Sequence, residues 1–427
     1  MKDTCAKGIL MPEELTRQVR EKYYYVETDP MTGKDRLFFD NSGGSFRLKA
    51  AGEAFHAVDS LPNCTGHGGV VSDYLDSMRV KATEALKIMF NAKDGCIVTS
   101  MTASIILWDA IQAVIRSVPG TNVVTTELEH PSSYDSCEEG CRLYGKELRV
   151  AKTDKATGSI DPMEIVKLVD ENTCLISVIM TSNISGAILD VETVVREARK
   201  IKPDVYIVCD CVQHVPHGLV DMETCPVDAV NFAAYKFGGL RGLGAGWLSK
   251  RLSELPHARL IREKLDNWEM GGSAPGSYAQ IIALFEYVCW VGSHFVETED
   301  KRTLYVEGMN RIAWHERALL DHMLEGTEEL PGVRHIPGVH VISDNPDLTQ
   351  RDLIVALTFD GKTCVDVARE YEKRGVIVNE RVKESLYSAR QVLSLGVPGI
   401  VRVTPLHCHR IDEIDKFLKI TAEIAAL

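Results

Sequence analysis

Several polar side chains stand at or just after the ends of short apolar runs. They offer an amine, a carboxylate, an imidazole, amides and hydroxyls, which are groups that can hold a small ligand. The positions are Thr102, Ala103 and Ser104 at a helix start, then His130, Asn183, Asp210, Gln213 and Lys236. Taken singly, each fits a helix cap, a turn or a solvated charge. Together they indicate a ligand site, because an open α/β sheet gathers its ligand groups beyond the carboxyl ends of its strands.

The elements that would position these groups alternate between apolar runs and helical patterns from Gly95 to Lys250. The predicted strands are residues 96–100, 122–126, 174–182, 205–210, 229–234 and 245–249. Predicted helices include residues 102–116, 161–169 and 191–201. Strands that are apolar on both faces and separated by helices predict an α/β fold with a large, mostly parallel sheet covered by helices on both sides.

The pattern changes after Gly292 to that of a smaller α+β domain. The predicted elements there are a helix over residues 293–325, strands at 353–359, 376–380 and 400–405, and helices at 364–373 and 411–426. We therefore predict three parts. An N-terminal segment (1–30) packs with the small domain, the large domain covers residues 31–292, and the small C-terminal domain covers residues 293–427.

Composition excludes several classes of function. The net charge of −13 over 427 residues argues against a nucleic-acid partner, which requires clustered Lys and Arg. The N-terminus lacks the apolar core of a signal peptide, and residues 278–292 are too short and too polar to span a membrane. Twelve scattered cysteines predict a cytoplasmic protein. No His and Cys spacing is typical of a metal site, so no metal is expected.

Motifs along nearly the whole chain resemble one known group. They are FFDNSGG (38–44), CIVTSMTAS (96–104), ELEHPSS (127–133), SNISGAILDV (182–191), CDCVQHVPHGLVDM (209–222), FAAYKFGG (232–239), WEMGGS (268–273) and RVTPLHCHRIDEID (402–415). The order resembles the class V aminotransferase and cysteine desulfurase group of fold-type I pyridoxal 5′-phosphate enzymes. The most specific part is Asp-x-x-Gln…His followed by the lysine segment. The glycine-rich run 239–244 is not a dinucleotide loop, because it opens a strand and not a helix.

The resemblance implies a role for each residue. Lys236 matches the lysine that forms a Schiff base with the cofactor and later moves protons as a base. Asp210 matches the carboxylate beside the ring nitrogen, and His130 the ring that stacks on the pyridine. Asn183 and Gln213 match groups on the phenolic-oxygen side. Thr102, with the N–H groups of Ala103 and Ser104, is expected to hold the phosphate at a helix N-terminus. Arg402 is expected to pair with the substrate carboxylate, and Asn41 is assigned with it to the substrate.

Two departures from the family pattern concern the phosphate. Cysteine desulfurases carry Ser-x-His-Lys where this chain has Ala233-Ala234-Tyr235-Lys236. We therefore expect Tyr235 to supply a hydroxyl to the phosphate. Gly272 stands where the desulfurases often have a threonine that reaches the partner subunit's phosphate, and Ser273 is the expected substitute. Contact of this kind implies a homodimer with shared active sites.

A third departure is an absence. Desulfurases carry a nucleophilic cysteine in a loop that corresponds to residues 376–402, which contain no cysteine here. Cys364 and Cys408 lie on either side and are expected to be small buried hydrophobes. Arg381, Tyr387 and Arg390 occupy the loop instead, as solvated residues or as contacts of a substrate side chain. Sulfur transfer through an enzyme persulfide is therefore not expected.

Three functions fit these features. The favoured one is a lyase that breaks a C–S or similar Cβ–X bond of an amino acid, which needs the lysine and the cofactor but no loop cysteine. An aminotransferase or an amino-acid epimerase uses the same residues. The third is a non-catalytic scaffold on the same fold, against which Lys236 and Asp210 both argue, since a scaffold needs neither.

Overall fold

A computed structural model describes residues 5–62 and 64–427. The strands are β1 (Leu37–Phe38), β2 (Cys96–Ser100), β3 (Asn122–Thr126), β4 (Glu147–Ala151), β5 (Thr173–Ile179), β6 (Tyr206–Asp210), β7 (Ala229–Ala233), β8 (Gly244–Leu248), β9 (Val339–Ile342), β10 (Val355–Phe359), β11 (Val376–Ile377), β12 (Asn379–Val382) and β13 (Gly399–Val403). The helices are α1 (Glu13–Glu21), α2 (Lys49–Asp59), α3 (Val70–Phe90), α4 (Ala103–Ser117), α5 (Pro131–Tyr144), α6 (Pro162–Val166), α7 (Val191–Ile201), α8 (Lys250–Ser253), α9 (Pro275–Ser293), α10 (Lys301–Glu325), α11 (Cys364–Lys373), α12 (Ala389–Ser394) and α13 (Ile411–Ala426).

The large sheet has the order β2-β8-β7-β6-β5-β3-β4. All its neighbouring pairs are parallel except those of β8, which runs antiparallel to both β2 and β7. Strands β3, β5, β7 and β8 are buried along their whole length, as expected for a sheet covered on both faces. The prediction of a mostly parallel α/β sheet is confirmed. Strand β4 was not predicted, because it lies at the sheet edge and mixes apolar with charged residues.

The smaller sheet is antiparallel, with the order β12-β13-β10-β9. Its hydrophobic core includes side chains of α10, α11 and α13. The predicted helix 293–325 is wrong at its start: α9 ends at Ser293 and α10 begins at Lys301, where Asp300 caps it by accepting from Thr303 N–H. Gly292 and Gly308 allow α9 and α10 to pack closely, since a Cβ on either would clash with the other helix.

The N-terminal segment contacts the C-terminal part of the chain. Arg20 donates to the Cys408 carbonyl at 2.7 Å and pairs with Glu413 at 2.7 Å, and both partners lie at the start of α13 or just before it. The Met11 main-chain N–H donates to Nδ1 of His315, on α10, at 3.0 Å. Residues 1–4 of this segment lie outside the described residues. The boundaries after residues 30 and 292 stay predictions.

Candidate active site

A cavity of about 480 Å³ opens where the strands of the large sheet end and the small domain begins. Most of the residues predicted from the sequence line it together. They are Thr102, Ala103, Ser104, His130, Asn183, Asp210, Gln213, Tyr235, Lys236 and Arg402. The segments that supply them lie far apart along the chain, and the sheet order brings them to one place.

The first turn of α4 forms one end of the cavity. Thr102 is the N-cap, and its hydroxyl oxygen accepts from the Ile105 N–H at 3.2 Å. The N–H groups of a first helical turn have no partner within the helix and favour an anion. Asn231 fixes this turn from the adjacent strand, because its Nδ2 donates to the Ala103 carbonyl at 3.2 Å. Thr102 is thus a helix cap and a cavity residue at once.

One glycine of the run that follows Lys236 is explained by this turn. Gly244, the first residue of β8, lies so close to the helix start that a Cβ on it would be 2.7 Å from the Ala103 Cα and closer still to the Ala103 nitrogen. Glycine is therefore required for close approach of β8 to the anion-binding turn.

The Gly244→Ala variant is expected to lose stability by about 1–3 kcal/mol through overpacking and to bind inorganic phosphate or a phosphorylated ligand more weakly, because the first turn of α4 must shift. Thermal unfolding and calorimetric titration would measure both effects. Gly52→Ala is the matched control: it adds the same methyl group within α2, where the only near atom is a Tyr24 ring carbon at 3.8 Å. Equal behaviour of the two variants would contradict the prediction.

Lys236 contributes a half-buried amine to the lining of the cavity. It lies on a 3₁₀ turn after β7, and Nζ donates to the Ser42 carbonyl. Burial, with further contributions from Arg402, Arg381 and Arg241, lowers the pKa of Lys236 to about 7, and Asp40 partly opposes this. A large fraction of the amine is therefore neutral near pH 7, and a neutral amine is the nucleophilic and basic form.

Asp210 is the last residue of β6 and is 3% exposed. Burial raises the pKa of its carboxyl to about 6, while the Val212 N–H, which donates to Oδ1 at 3.0 Å, and Lys236 lower it. A buried carboxylate of this kind is stabilised by a cationic N–H in the cavity.

His130 is a neutral ring on the cavity wall. Its Nδ1 accepts from the Ser132 N–H at 3.2 Å, which makes the ring the N-cap of α5 and leaves the proton on Nε2. Burial, Lys236, Arg390 and Arg381 lower the pKa of His130 to about 4. The Tyr387 ring stacks near it, with ring centroids 6.2 Å apart and 24° between the planes.

Arg402 lines the cavity on the side of the small domain and is 1% exposed. Its guanidinium donates to Asp40 Oδ1 at 2.8 Å and to the Asn183 carbonyl at 3.0 Å. The Asn183 side chain is oriented by Gln391, whose Nε2 donates to Oδ1 at 2.6 Å. On the opposite wall Gln213 donates to Ser42 Oγ at 3.0 Å.

Three predicted site residues do not line the cavity. The assignment of Asn41 to the substrate is corrected, because its side chain hydrogen-bonds to the main chain. Its Nδ2 donates to the Phe38 and Thr404 carbonyls, and its Oδ1 accepts from the Phe46 N–H. Gly272 is exposed at the surface. The Ser273 hydroxyl lies 2.9 Å from Thr99 Oγ1, outside the cavity. A role for Gly272 and Ser273 toward a partner subunit stays a prediction.

Other residues of the site were not predicted. Ser42, Asn231 and Arg241 line the cavity, and Glu129 lies buried behind it. Burial raises the pKa of Glu129 to about 8, with Asp210 adding to the effect and hydrogen bonds from Thr126, Ser133 and the Ile179 N–H opposing it. Two features of the sequence could have indicated these residues: the polar Asn231 within the apolar run AVNFAA, and the acid Glu129 directly before His130.

No cysteine lines the cavity among the described residues. Cys364, on α11, lies behind β13, where a Cβ on Gly399 would be 2.7 Å from its Sγ. Cys408 is fully buried. Burial raises the pKa of both thiols, so neither is a ready nucleophile. The segment 376–402 forms β11, β12 and α12 and leads into β13.

The described residues, 5–62 and 64–427, lack two kinds of feature. They contain no group of three or more His, Cys, Asp and Glu side chains placed to hold a metal ion. They also contain no helix with the length and apolar character needed to cross a membrane.

Comparison with known proteins gives the family. The Aminotransferase class-V family model matches residues 66–277. A probable cysteine desulfurase of Streptomyces coelicolor is 24% identical over 414 residues, which cover 91% of this chain and 92% of the relative. The chain belongs to the class V aminotransferase and cysteine desulfurase-like family. A cysteine desulfurase of Dickeya dadantii is 24% identical over 81% of this chain and 82% of its own length.

Solved structures agree on the fold of this class V family member. A cysteine desulfurase from Thermococcus onnurineus superposes with a TM-score of 0.79 at 20% identity, covering 98% of this chain and 99% of the other. The Escherichia coli cysteine desulfurase CsdA gives a TM-score of 0.76 at 16% identity, covering 96% and 98%.

Enzymes of this family use pyridoxal 5′-phosphate, and the cavity fits that cofactor. The open first turn of α4, kept clear by Gly244, suits a phosphate. The buried Asp210 carboxylate suits a protonated ring nitrogen, and the half-buried amine of Lys236 suits covalent attachment to an aldehyde. These are properties of the residues themselves: a helix start that a Cβ on Gly244 would block, a buried acid, and an amine whose pKa is lowered to about 7.

Proposed function

We propose that the protein is a pyridoxal-phosphate-dependent lyase that breaks a C–S or similar Cβ–X bond of an amino acid without a persulfide-carrying cysteine. The observation that carries the proposal is the cavity itself. It contains Lys236, Asp210 and Arg402 but no cysteine among the described residues. Elimination needs a base, an electron sink and an expelled leaving group, and the first two are supplied without a cysteine.

Each residue has a proposed part in this reaction. The cofactor, when bound, draws electrons from bonds at the substrate Cα. The Lys236 amine takes the proton from Cα, since its lowered pKa places it near the operating pH. Asp210 would hold the protonated ring nitrogen of the cofactor, and the neutral His130 ring would contact the cofactor ring. Arg402 orients the substrate carboxylate through its guanidinium.

The test is a product assay on purified, cofactor-loaded protein with L-cysteine and a panel of cysteine thioether conjugates. We expect pyruvate, ammonia and the released thiol or sulfide in equal amounts. A 2-keto acid that retains the substrate side chain, formed with the aminated cofactor, would instead identify an aminotransferase. Racemisation without release of a group would identify an epimerase. Protein that neither attaches the cofactor nor changes any amino acid would point to a scaffold.

We also propose a homodimer with shared active sites. Large apolar side chains are exposed around the first turns of α4, at Met101, Ile105 and Trp108, and in the segment before α9, where Ile261 is 94% exposed. Exposed apolar groups in such number suit a protein interface. Gly272 and Ser273 follow in the same segment and are proposed to reach the partner's phosphate.

The Ile261→Asp variant is expected to sediment as a monomer where the wild type sediments at twice the chain mass, because an aspartate cannot be buried unpaired in an apolar interface. We expect the variant to retain cofactor less well, since the proposed site is completed by the partner. Analytical ultracentrifugation and the bound-cofactor absorbance measure the two effects. Met31→Asp is the control, at a side chain that is 91% exposed in the N-terminal segment. A monomeric wild type would contradict the proposal.

A further inference from the structure

The Arg381 guanidinium lines the cavity and has no protein partner among the described residues. It makes no hydrogen bond or ion pair with them, and its Nε is fully buried. Arg390, in the same segment, is different: it donates to the Glu129 carbonyl at 2.7 Å and covers the Tyr134 ring at 3.6 Å. A partly desolvated guanidinium whose buried N–H has no acceptor is costly unless a ligand supplies one.

The carboxylate with the largest effect on the pKa of Arg381 is that of Asp40, and it already accepts hydrogen bonds from other groups. Asp40 accepts from Arg402 through Oδ1 at 2.8 Å and from Asn379 Nδ2 through Oδ2 at 3.1 Å. Arg381 contributes to the lowered pKa values of Lys236, His130 and Arg402, which shows that its positive charge is felt across the cavity. This side of the site therefore holds more positive than negative charge.

The strand register sets the spacing between the two arginines. Asn379 pairs with Arg402 and Arg381 pairs with Ile400 in the antiparallel ladder of β12 and β13. Side chains two residues apart on a strand share a face, so Arg381 and Arg402 are diagonal neighbours on the same face. Such neighbours lie roughly 7 Å apart, which is within the length of one amino-acid substrate.

We propose that the substrate carries a second acid group, a carboxylate or a sulfinate at the end of its side chain, and that Arg381 binds it. The inference rests on the proposed function to the extent that Arg402 takes the α-carboxylate of an amino acid. A planar guanidinium binds such oxyanions through two parallel hydrogen bonds. Arg381 is then the residue that selects acidic over neutral side chains.

The experiment compares matched acid and amide ligands on cofactor-loaded protein. The pairs are L-aspartate with L-asparagine, and S-carboxymethyl-L-cysteine with S-carbamoylmethyl-L-cysteine; L-cysteine sulfinate tests the sulfinate. Dissociation constants come from the change in the cofactor absorbance and from calorimetry. We expect the acid member of at least one pair to bind roughly 10- to 100-fold more tightly than its amide.

The Arg381→Gln variant is expected to lose this preference, and Arg381→Lys, which keeps the charge without the fork, to retain part of it. Lys383→Gln is the control, because it removes one positive charge just beyond β12 from a half-exposed side chain that does not line the cavity. Equal binding of acid and amide by the wild type would overturn the inference. The inference would also be overturned if the Arg381→Gln variant kept the preference for the acid over the amide, or if only an Arg241→Gln variant lost it.

Failure of the lyase proposal and failure of the acid subsite give different results in these experiments. If no substrate releases a thiol but the acid preference disappears in Arg381→Gln, the lyase proposal is wrong and the acid subsite stands. If thiol release is seen while acid and amide bind equally, the acid subsite is wrong and the lyase proposal stands.

Discussion

Replacing Lys236 with alanine is expected to remove the absorbance of the covalently attached cofactor and to lower turnover by roughly 10³- to 10⁴-fold. Among the described residues that line the cavity, the amine of Lys236 is the group suited both to attach the cofactor and to move the Cα proton. The pKa of Lys236 is lowered to about 7. In wild-type protein the rate of cofactor attachment should therefore rise with pH through about 7, as the neutral amine forms.

The measurements are a visible absorbance spectrum and a steady-state assay on the same preparations. Lys250→Ala is the matched control, because Lys250 is an exposed residue at the start of α8, outside the cavity. Circular dichroism separates loss of chemistry from loss of folding. A Lys236→Ala protein with an unchanged spectrum and rate would remove the basis of the proposed function.

Replacing Asp210 with asparagine is expected to lower turnover by roughly 10²- to 10³-fold, the size of effect that follows when one partner of a buried charge pair is removed. The asparagine Oδ1 can still accept from the Val212 N–H, so the change is mainly one of charge. The proposed effect acts through the cofactor ring nitrogen, which asparagine cannot keep protonated.

The pH dependence of cofactor affinity tests this role without relying on turnover. The pKa of Asp210 is raised to about 6, so the carboxylate is present above that pH and is lost as the pH falls through it. Wild-type protein should therefore bind the cofactor more weakly below about pH 6, and Asp210→Asn should lack this step. Asp360→Asn, at an exposed side chain of the small domain, is the control. A variant with an unchanged pH profile would contradict the assignment.

Much of the fold was predictable because local patterns specify it. Most of the runs that became β2, β3 and β5 to β8 are rich in apolar and β-branched residues, as expected of strands buried on both faces. Helices α7, α11 and α13 match their predicted bounds. The patterns that failed were those of partly exposed elements, such as β4 and β9, where apolar and polar residues mix. The break between α9 and α10 was missed because both flanking segments are helical by composition.

The sequence by itself determined which groups follow the strand ends, and with the resemblance to known motifs it determined the cofactor. It did so because a strand of the large sheet places the residues after it at a common edge. Only the tertiary structure decided how these groups are used. Asn41 hydrogen-bonds to the main chain, Arg402 pairs with Asp40, and Arg381 has no partner among the described residues. Hydrogen-bond partners come from segments hundreds of residues apart, and no local pattern encodes them.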